Sequence, residues 1–413
     1  MFRRLWSGLP KDPLFVSDLK ALGYYVNDKD EIRLIANPKF YFKFFFYRND
    51  RFNERQRFHF NEAVECLVHK RLEAEGLQKI ILPFGAETSD PHIPIFVSKD
   101  IESKSRVIVI FGQSEQELGV LAHRVIGGMG GVNKGSMTSV VKAINEQTSS
   151  KHNSEPPGII LANMGALWWW PEGKRALNSR SSQAVPMKSA VHLGRYYDPK
   201  VNAVEGNATP EQHVAYIFDE VLPKLVNNQA RLDVVVLGDA THFVEWHLND
   251  DSKWAAWGPR MNSLSIVGGS YDKKYVECDG LKQFLPEKAR AWAISSEELD
   301  KPLSGPDGNP NTSTFTNLGC PVFSSGEPYL IETAFIQCHK SVLKFIQEVA
   351  NTTDYTNPEI VVTFADIEEG GDAWGEETDE KKLEIMTKDE FNDMVKSDEA
   401  TPPKDAKKED DEV

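Results

Sequence analysis

Residues 231–247 constrain this chain more than any other stretch. Residues 232–237 (Leu-Asp-Val-Val-Val-Leu) form a nearly continuous apolar run that stops at Gly238-Asp239, and a helical pattern starts near Thr241. A strand that is apolar on both faces is buried on both faces, as in a parallel sheet between two helix layers. Strand, tight turn and helix is also the layout of a nucleophile elbow, where G-x-S-x-G exposes a serine on a strained turn. Here the run reads Gly238, Asp239, Ala240, Thr241, His242. Ala240 stands in the nucleophile position and His242 in that of the second glycine. An alanine methyl cannot attack a carbonyl carbon. Moving the register to Asp239 would put Leu237 where the turn needs a small residue, so Ala240, with Gly238 two positions before it, is the preferred alignment.

The chain around this run alternates. Residues 106–112 form a second buried strand ending in glycine, and residues 158–165 a third. Shorter strands are expected at 79–82, 95–97, 264–267, 291–294 and 320–323, and an aromatic strand at 40–47. Helices are expected at 53–76, with Phe60, Val64, Val68 and Leu72 on one face, and at 136–148. Two more are expected, from a capping box at Thr209-Pro210-Glu211-Gln212 and over 333–350. Short strands alternating with helices predict an α/β fold with one doubly wound, mostly parallel sheet. Gly127 to Gly131 lacks the Walker spacing and no strand directly precedes it, so it reads as a turn.

Charge divides the chain unevenly. The net charge is -15, yet from Asp366 onward 19 acidic residues face 7 lysines. The body is therefore near neutral, which gives no general drive toward nucleic acid. The expected organisation is an irregular lead-in over 1–50, an α/β domain over 51–358 and an acidic, disordered tail over 359–413. Cys66, Cys278, Cys320 and Cys338 stand far apart and are expected to be reduced thiols of an intracellular protein. The histidines show no metal-ligand spacing, and neither a metal nor a cofactor is expected. No signal peptide and no membrane span are expected.

Three strings carry a family resemblance. They are residues 167–178 (Leu-Trp-Trp-Trp-Pro-Glu-Gly-Lys-Arg-Ala-Leu-Asn), 191–197 (Val-His-Leu-Gly-Arg-Tyr-Tyr) and 207–218 (Asn-Ala-Thr-Pro-Glu-Gln-His-Val-Ala-Tyr-Ile-Phe). With residues 15–24 they resemble the Arb-two domain family, named for argonaute-binding protein two, across about residues 10–350. The family is similar to α/β-hydrolases in fold. Its members include a subunit of a fungal argonaute siRNA chaperone complex, an appendage of fungal class II histone deacetylases and an animal cotranscriptional regulator. The resemblance implies a nuclear or cytoplasmic role, with argonaute or a silencing or chromatin complex as partner. Some relatives keep a serine in the elbow, and this chain departs there.

The remaining triad positions are also weak. Glu297, Glu298 and Asp300 are candidate acids, the chain after the last expected strand offers residues 324–328 without a histidine, and His339 falls inside a helix. The expected function is a noncatalytic scaffold, with no catalytic residue. Two alternatives stay open: a residual hydrolase with a different constellation, and an RNA binder. For the second the candidates are Trp168, Trp169, Trp170, Lys174, Arg175, His192 and Arg195. Aromatics interleaved with cations can stack bases and meet phosphates, or they can pack a crossover loop over the sheet. The tail yields a direct test. Amides of residues 366–380 should exchange with solvent at near-random-coil rates in the free protein, and slow exchange there would contradict the assignment.

Overall fold

Among the described residues, nine strands make the central sheet. They are β1 (Leu77–Leu82), β2 (Ile93–Ser98), β3 (Arg106–Phe111), β4 (Gly158–Ala162), β5 (Arg231–Leu237), β6 (Met261–Val267), β7 (Ala289–Ala293), β8 (Pro302–Ser304) and β9 (Val322–Ser324). The computed structural model describes residues 8–192, 194–360 and 362, so the tail expected to be disordered lies outside the described residues. The spatial order is β8-β9-β7-β6-β5-β3-β4-β2-β1. From β4 through β3, β5, β6 and β7 to β9 every pairing is parallel. The two edges are antiparallel: β1 with β2 and β2 with β4 on one side, β8 with β9 on the other. The sheet is thus mostly parallel, with the strand order and the reversed second strand of an α/β-hydrolase-like fold, and β8 is reversed as well at the far edge.

Side chains alternate between two cores, as the period of a strand requires. Val107, Val109 and Phe111 of β3 and Leu232, Val234 and Val236 of β5 enter one core. Ile108, Ile110, Val235 and Leu237 enter the other. The second core is covered by α1 (Asp50–Ala74), α2 (Met137–Asn145) and, at the end of the described chain, the long helix Ile331–Asn351, while the first is covered by α3 (Pro210–Tyr216), α4 (Ala240–Leu248) and α5 (Asp279–Lys288). The long helix is α6. Helix starts follow local chemistry: Asn49 caps α1, Ser136 caps α2, and Thr209 caps α3 with Pro210 in the first turn. After Tyr216 the helix widens into a π turn, Ile217–Val221. Pro223 follows at once, and its missing N–H breaks the regular ladder there.

Two expectations are corrected. Residues 40–47 are not a strand. No neighbouring strand pairs with them, and the rings dock singly, with Phe42 stacked on Phe60 at 4.0 Å while Phe45 stays exposed. The segment before residue 50 is not wholly irregular either. Tyr24–Val26 and Ile32–Leu34 form a hairpin whose Tyr24 and Ile32 are buried in the second core.

One buried ion pair crosses the middle of the sheet. Arg106 Nε of β3 donates to Asp233 Oδ2 of β5 at 2.6 Å, and both side chains are almost wholly buried. Arg106 also donates to the carbonyls of Thr148 (2.8 Å) and Ile346 (3.0 Å). Asp233 Oδ1 accepts from Asn262 Nδ2 (2.9 Å) and Ser263 Oγ (2.6 Å) of β6. Asp233→Ala should therefore cost about 3–5 kcal/mol, because it strands a buried guanidinium. Arg106→Met combined with Asp233→Leu should recover most of that loss. Urea denaturation of the three forms measures both, and a single variant as stable as the parent would contradict the reading.

Candidate functional site

The parallel strands end at one edge, and ligands of open α/β sheets bind outside such carboxyl ends. β5 ends at Leu237, and Gly238 follows with φ +55. Asp239 is already right-handed (φ -67, ψ -20), and α4 begins at Ala240. The left-handed residue of the turn is therefore Gly238, not Ala240. Ala240 is fully buried in the first core. The sequence alignment centred on Ala240 is corrected by two residues: the left-handed position of the turn is a buried glycine without a side chain, and the exposed residue of the turn is Asp239. Gly238 has little room for a side chain. A Cβ there would lie 2.9 Å from Gln113 Cγ and 3.1 Å from Ile331 Cγ2. Asp239 accepts from the Ser114 N–H at 3.1 Å and from the Ser114 hydroxyl. Thr241 is buried and close to Gly269. His242 is exposed on α4, so its bulk meets no obstacle, and its ring contacts Phe243.

Beside this crest an open cleft of about 590 Å³ lies over the ends of β6 and β7, lined among others by Gly268, Ser295, Glu297, Thr314 and Tyr329. No histidine lines it among the described residues. Its acid, Glu297, is paired with Lys301 Nζ at 2.5 Å. Asp300 is used internally: it accepts from Trp292 Nε1 (2.9 Å) and Ser341 Oγ (2.5 Å). After β9, where a hydrolase would carry its base, stands Glu327. It accepts the N–H groups of Tyr329 (3.1 Å) and Leu330 (3.2 Å) and the Thr333 hydroxyl (2.7 Å) at the start of α6. Burial works to raise its pKa, but the Thr333 hydroxyl and those N–H donors hold it below the usual carboxylate range. His339 donates Nδ1–H to the Ile336 carbonyl of its own helix (3.0 Å), and burial lowers its pKa.

The aromatic and cationic candidates do not form one surface. Trp168–Trp170 pairs antiparallel with Arg175–Leu177, and Lys174, exposed, takes the left-handed turn position at φ +50. Trp169 is buried beside His92 (ring centroids 4.8 Å), Trp170 meets Phe58 edge-on, and Trp168 meets Tyr197 edge-on. Arg175 is held between Glu65 and Glu62, the latter at 2.9 Å. Burial opposes its charge, but the two carboxylates outweigh burial and raise its pKa. Arg195 pairs with Glu172, and His192 Nδ1 lies 2.7 Å from Ser189 Oγ. Arg51, Arg57 and Arg180, with Arg195, instead surround a separate pocket near the start of α1. Arg51 and Arg57 lie outside the strings that carry the family resemblance.

The family model for the Arb2 domain matches residues 15–299. The chain belongs to the Arb2 domain family. It is similar to a protein named cotranscriptional regulator ARB2A homolog from Xenopus tropicalis, 23% identical over 364 residues, covering 81% of this chain and 80% of that protein. It is also similar to cotranscriptional regulator ARB2A of Mus musculus, 20% identical over 317 residues, covering 69% and 72%. Among solved structures, the esterase LipW from Mycobacterium marinum aligns with a TM-score of 0.27 and 8% identity, over 56% of this chain and 55% of that one. A likeness that weak decides nothing, and the hydrolase-like layout rests on the strand order and the turn at Gly238.

Two of the three Arb2 strings have internal roles. Asn207 and His213 belong to one of them. His213 Nε2 accepts the Asn163 N–H at 3.1 Å, so Nδ1 carries the proton and donates to Asn207 Oδ1 at 2.7 Å. Asn202 donates to the Trp169 carbonyl at 2.8 Å and ties the tryptophan hairpin down. Burial lowers the His213 pKa from 6.5 to about 3. Its neutral form is thus favoured by folding. That contribution is present above pH 6.5 and is lost as pH falls toward 3, at about 1.4 kcal/mol per pH unit once the unfolded chain is protonated. His213→Gln should therefore flatten the dependence of stability on pH by one proton between pH 6 and 4. Urea midpoints across that range test this, and an unchanged slope would refute it.

Proposed function

We propose that this Arb2-domain chain is a noncatalytic interaction subunit of a nuclear or cytoplasmic silencing complex, one containing argonaute or acting on chromatin. The observation that carries the noncatalytic half is Gly238. Acyl transfer through an elbow needs an oxygen or sulfur nucleophile with a base beside it, and the left-handed position of this turn is a buried glycine without a side chain, while the exposed Asp239 beside it accepts from Ser114. Glu327 stands where the base would be and is engaged in holding the start of α6. The regulatory half rests on family membership and on relatives named cotranscriptional regulators. Among the described residues no helix is long and apolar enough to cross a membrane. RNA contact through the tryptophan loop draws little support from a buried Trp169 and an Arg175 already held by two carboxylates.

A fluorophosphonate probe should label nothing, and activated esters should turn over at the background rate. Ala240→Ser should not create activity, because residue 240 is buried in α4. Gly238→Ser should not either, since the new side chain meets Gln113 and Ile331 and has no histidine in the cleft beside it. Affinity purification of the full chain from its own cells should recover a silencing or chromatin complex. Stoichiometric labelling mapped to a serine at the crest or cleft, such as Ser114 or Ser295, would overturn the proposal.

A further inference from the structure

The arginine pocket plays no part in the function argued above. It is about 500 Å³ in volume and is built from three segments. Arg51, Glu54 and Arg57 come from the first turns of α1, Arg180 and Gln183 from the short helix Ser179–Gln183, and Arg195 and Tyr196 from the following loop. The walls are fixed from behind. Fully buried Arg55 donates to Asp12 Oδ2 at 2.7 Å and to the Ala184 carbonyl, and Asp12 accepts the Met187 N–H at 2.8 Å. A Cβ on Gly194 would lie 2.3 Å from Gln183 Cα, so the loop rests directly on the end of that helix.

Four guanidinium groups and one carboxylate line the pocket. Neighbouring acids offset part of that charge, and they leave donors over. Arg57 is engaged by Glu54 at 2.6 and 3.0 Å. Arg195 pairs with Glu172 where both are half exposed. Arg51 lies 3.5 Å from Asp12, its Nη1 reaches the Gln183 carbonyl only at 3.4 Å, and its Nε and Nη2 are buried without a hydrogen-bond acceptor. Arg180 is exposed, and its side chain makes no hydrogen bond or ion pair with another described residue. In a body of near-neutral net charge this clustering is not background. Guanidinium forks match phosphate oxygens in geometry and charge. The volume is that of a small organic ligand and exceeds a bare phosphate. Tyr196, 91% exposed at the mouth, offers a ring face that no other side chain covers. A planar base can stack on such a ring.

We propose that this pocket binds a nucleoside monophosphate, its phosphate held by Arg180 and Arg51 and its base laid on Tyr196. Calorimetry on the full chain tests this with four probes: AMP, adenosine, inorganic phosphate and a phosphoserine peptide. AMP should bind at least tenfold more tightly than adenosine or inorganic phosphate, and more tightly than the peptide. Arg180→Ala should weaken AMP at least tenfold, with Arg180→Lys in between. Tyr196→Ala should weaken AMP several-fold while leaving inorganic phosphate unchanged. Both side chains are exposed, so thermal melting should match the parent. No binding of AMP, equal binding of adenosine, tighter binding of the peptide, or indifference to Arg180→Ala would each overturn the proposal. None of these outcomes bears on catalysis at the crest, which the fluorophosphonate probe reads separately.

Discussion

The Arg106–Asp233 pair is the constraint on which the rest of the sheet depends. Two charges this deep are costly to desolvate, and only a full set of partners offsets the cost. The partners here come from β3, β5, β6, the chain after α2 and the last helix. A slip of one residue between β3 and β5 would turn every side chain to the wrong core. It would also leave both ions unpaired. The register that results sets Ile108 beside Asp233 and Phe111 beside Val236. The two strands consequently end together, and that brings Ser114 against Asp239 at the opposite edge. Charge buried near the start of the strands thus fixes the geometry at their ends.

That geometry carries chemical meaning through strain. A serine at an elbow occupies a left-handed or otherwise unfavourable conformation that the surrounding fold must hold, at a cost of order 1–3 kcal/mol. Glycine takes the same conformation with no Cβ penalty. At Gly238 the sharp turn survives without stored strain, and Gln113 and Ile331 fill the space above it. The turn passes the chain from strand to helix, and Gly238 itself carries no side chain that could attack.

Much of this was legible in the sequence, for a physical reason. Buried parallel strands such as 106–111 and 231–237 are contiguous apolar runs, so they stand out from any surface segment. β8 did not stand out: three residues in a loop rich in proline and glycine leave no pattern to read. The aromatic run at 40–47 misled because strand preference reports a half-buried surface, and here no partner strand supplies one. The elbow register failed differently. A glycine can be the small residue before a nucleophile or the left-handed residue itself, and only φ distinguishes the two. The arginine pocket was scattered over nearly 150 positions, from Arg51 to Arg195, and no local spacing links them.

The three strings that mark the family divide along the same line between inside and outside. Burial accounts for Asn207 and His213, and for Trp169 with Ala176 and Leu177 in the hairpin. Such residues identify a fold, and a fold is shared by unrelated activities. The string at 191–197 is different. Its Arg195 and Tyr196 are exposed and contribute nothing to either core. Core packing places no demand on them: Arg195 is engaged at the surface by Glu172, and the Tyr196 ring stands in solvent. Both instead line the pocket they share with Arg51 and Arg180, on the solvent side of the fold.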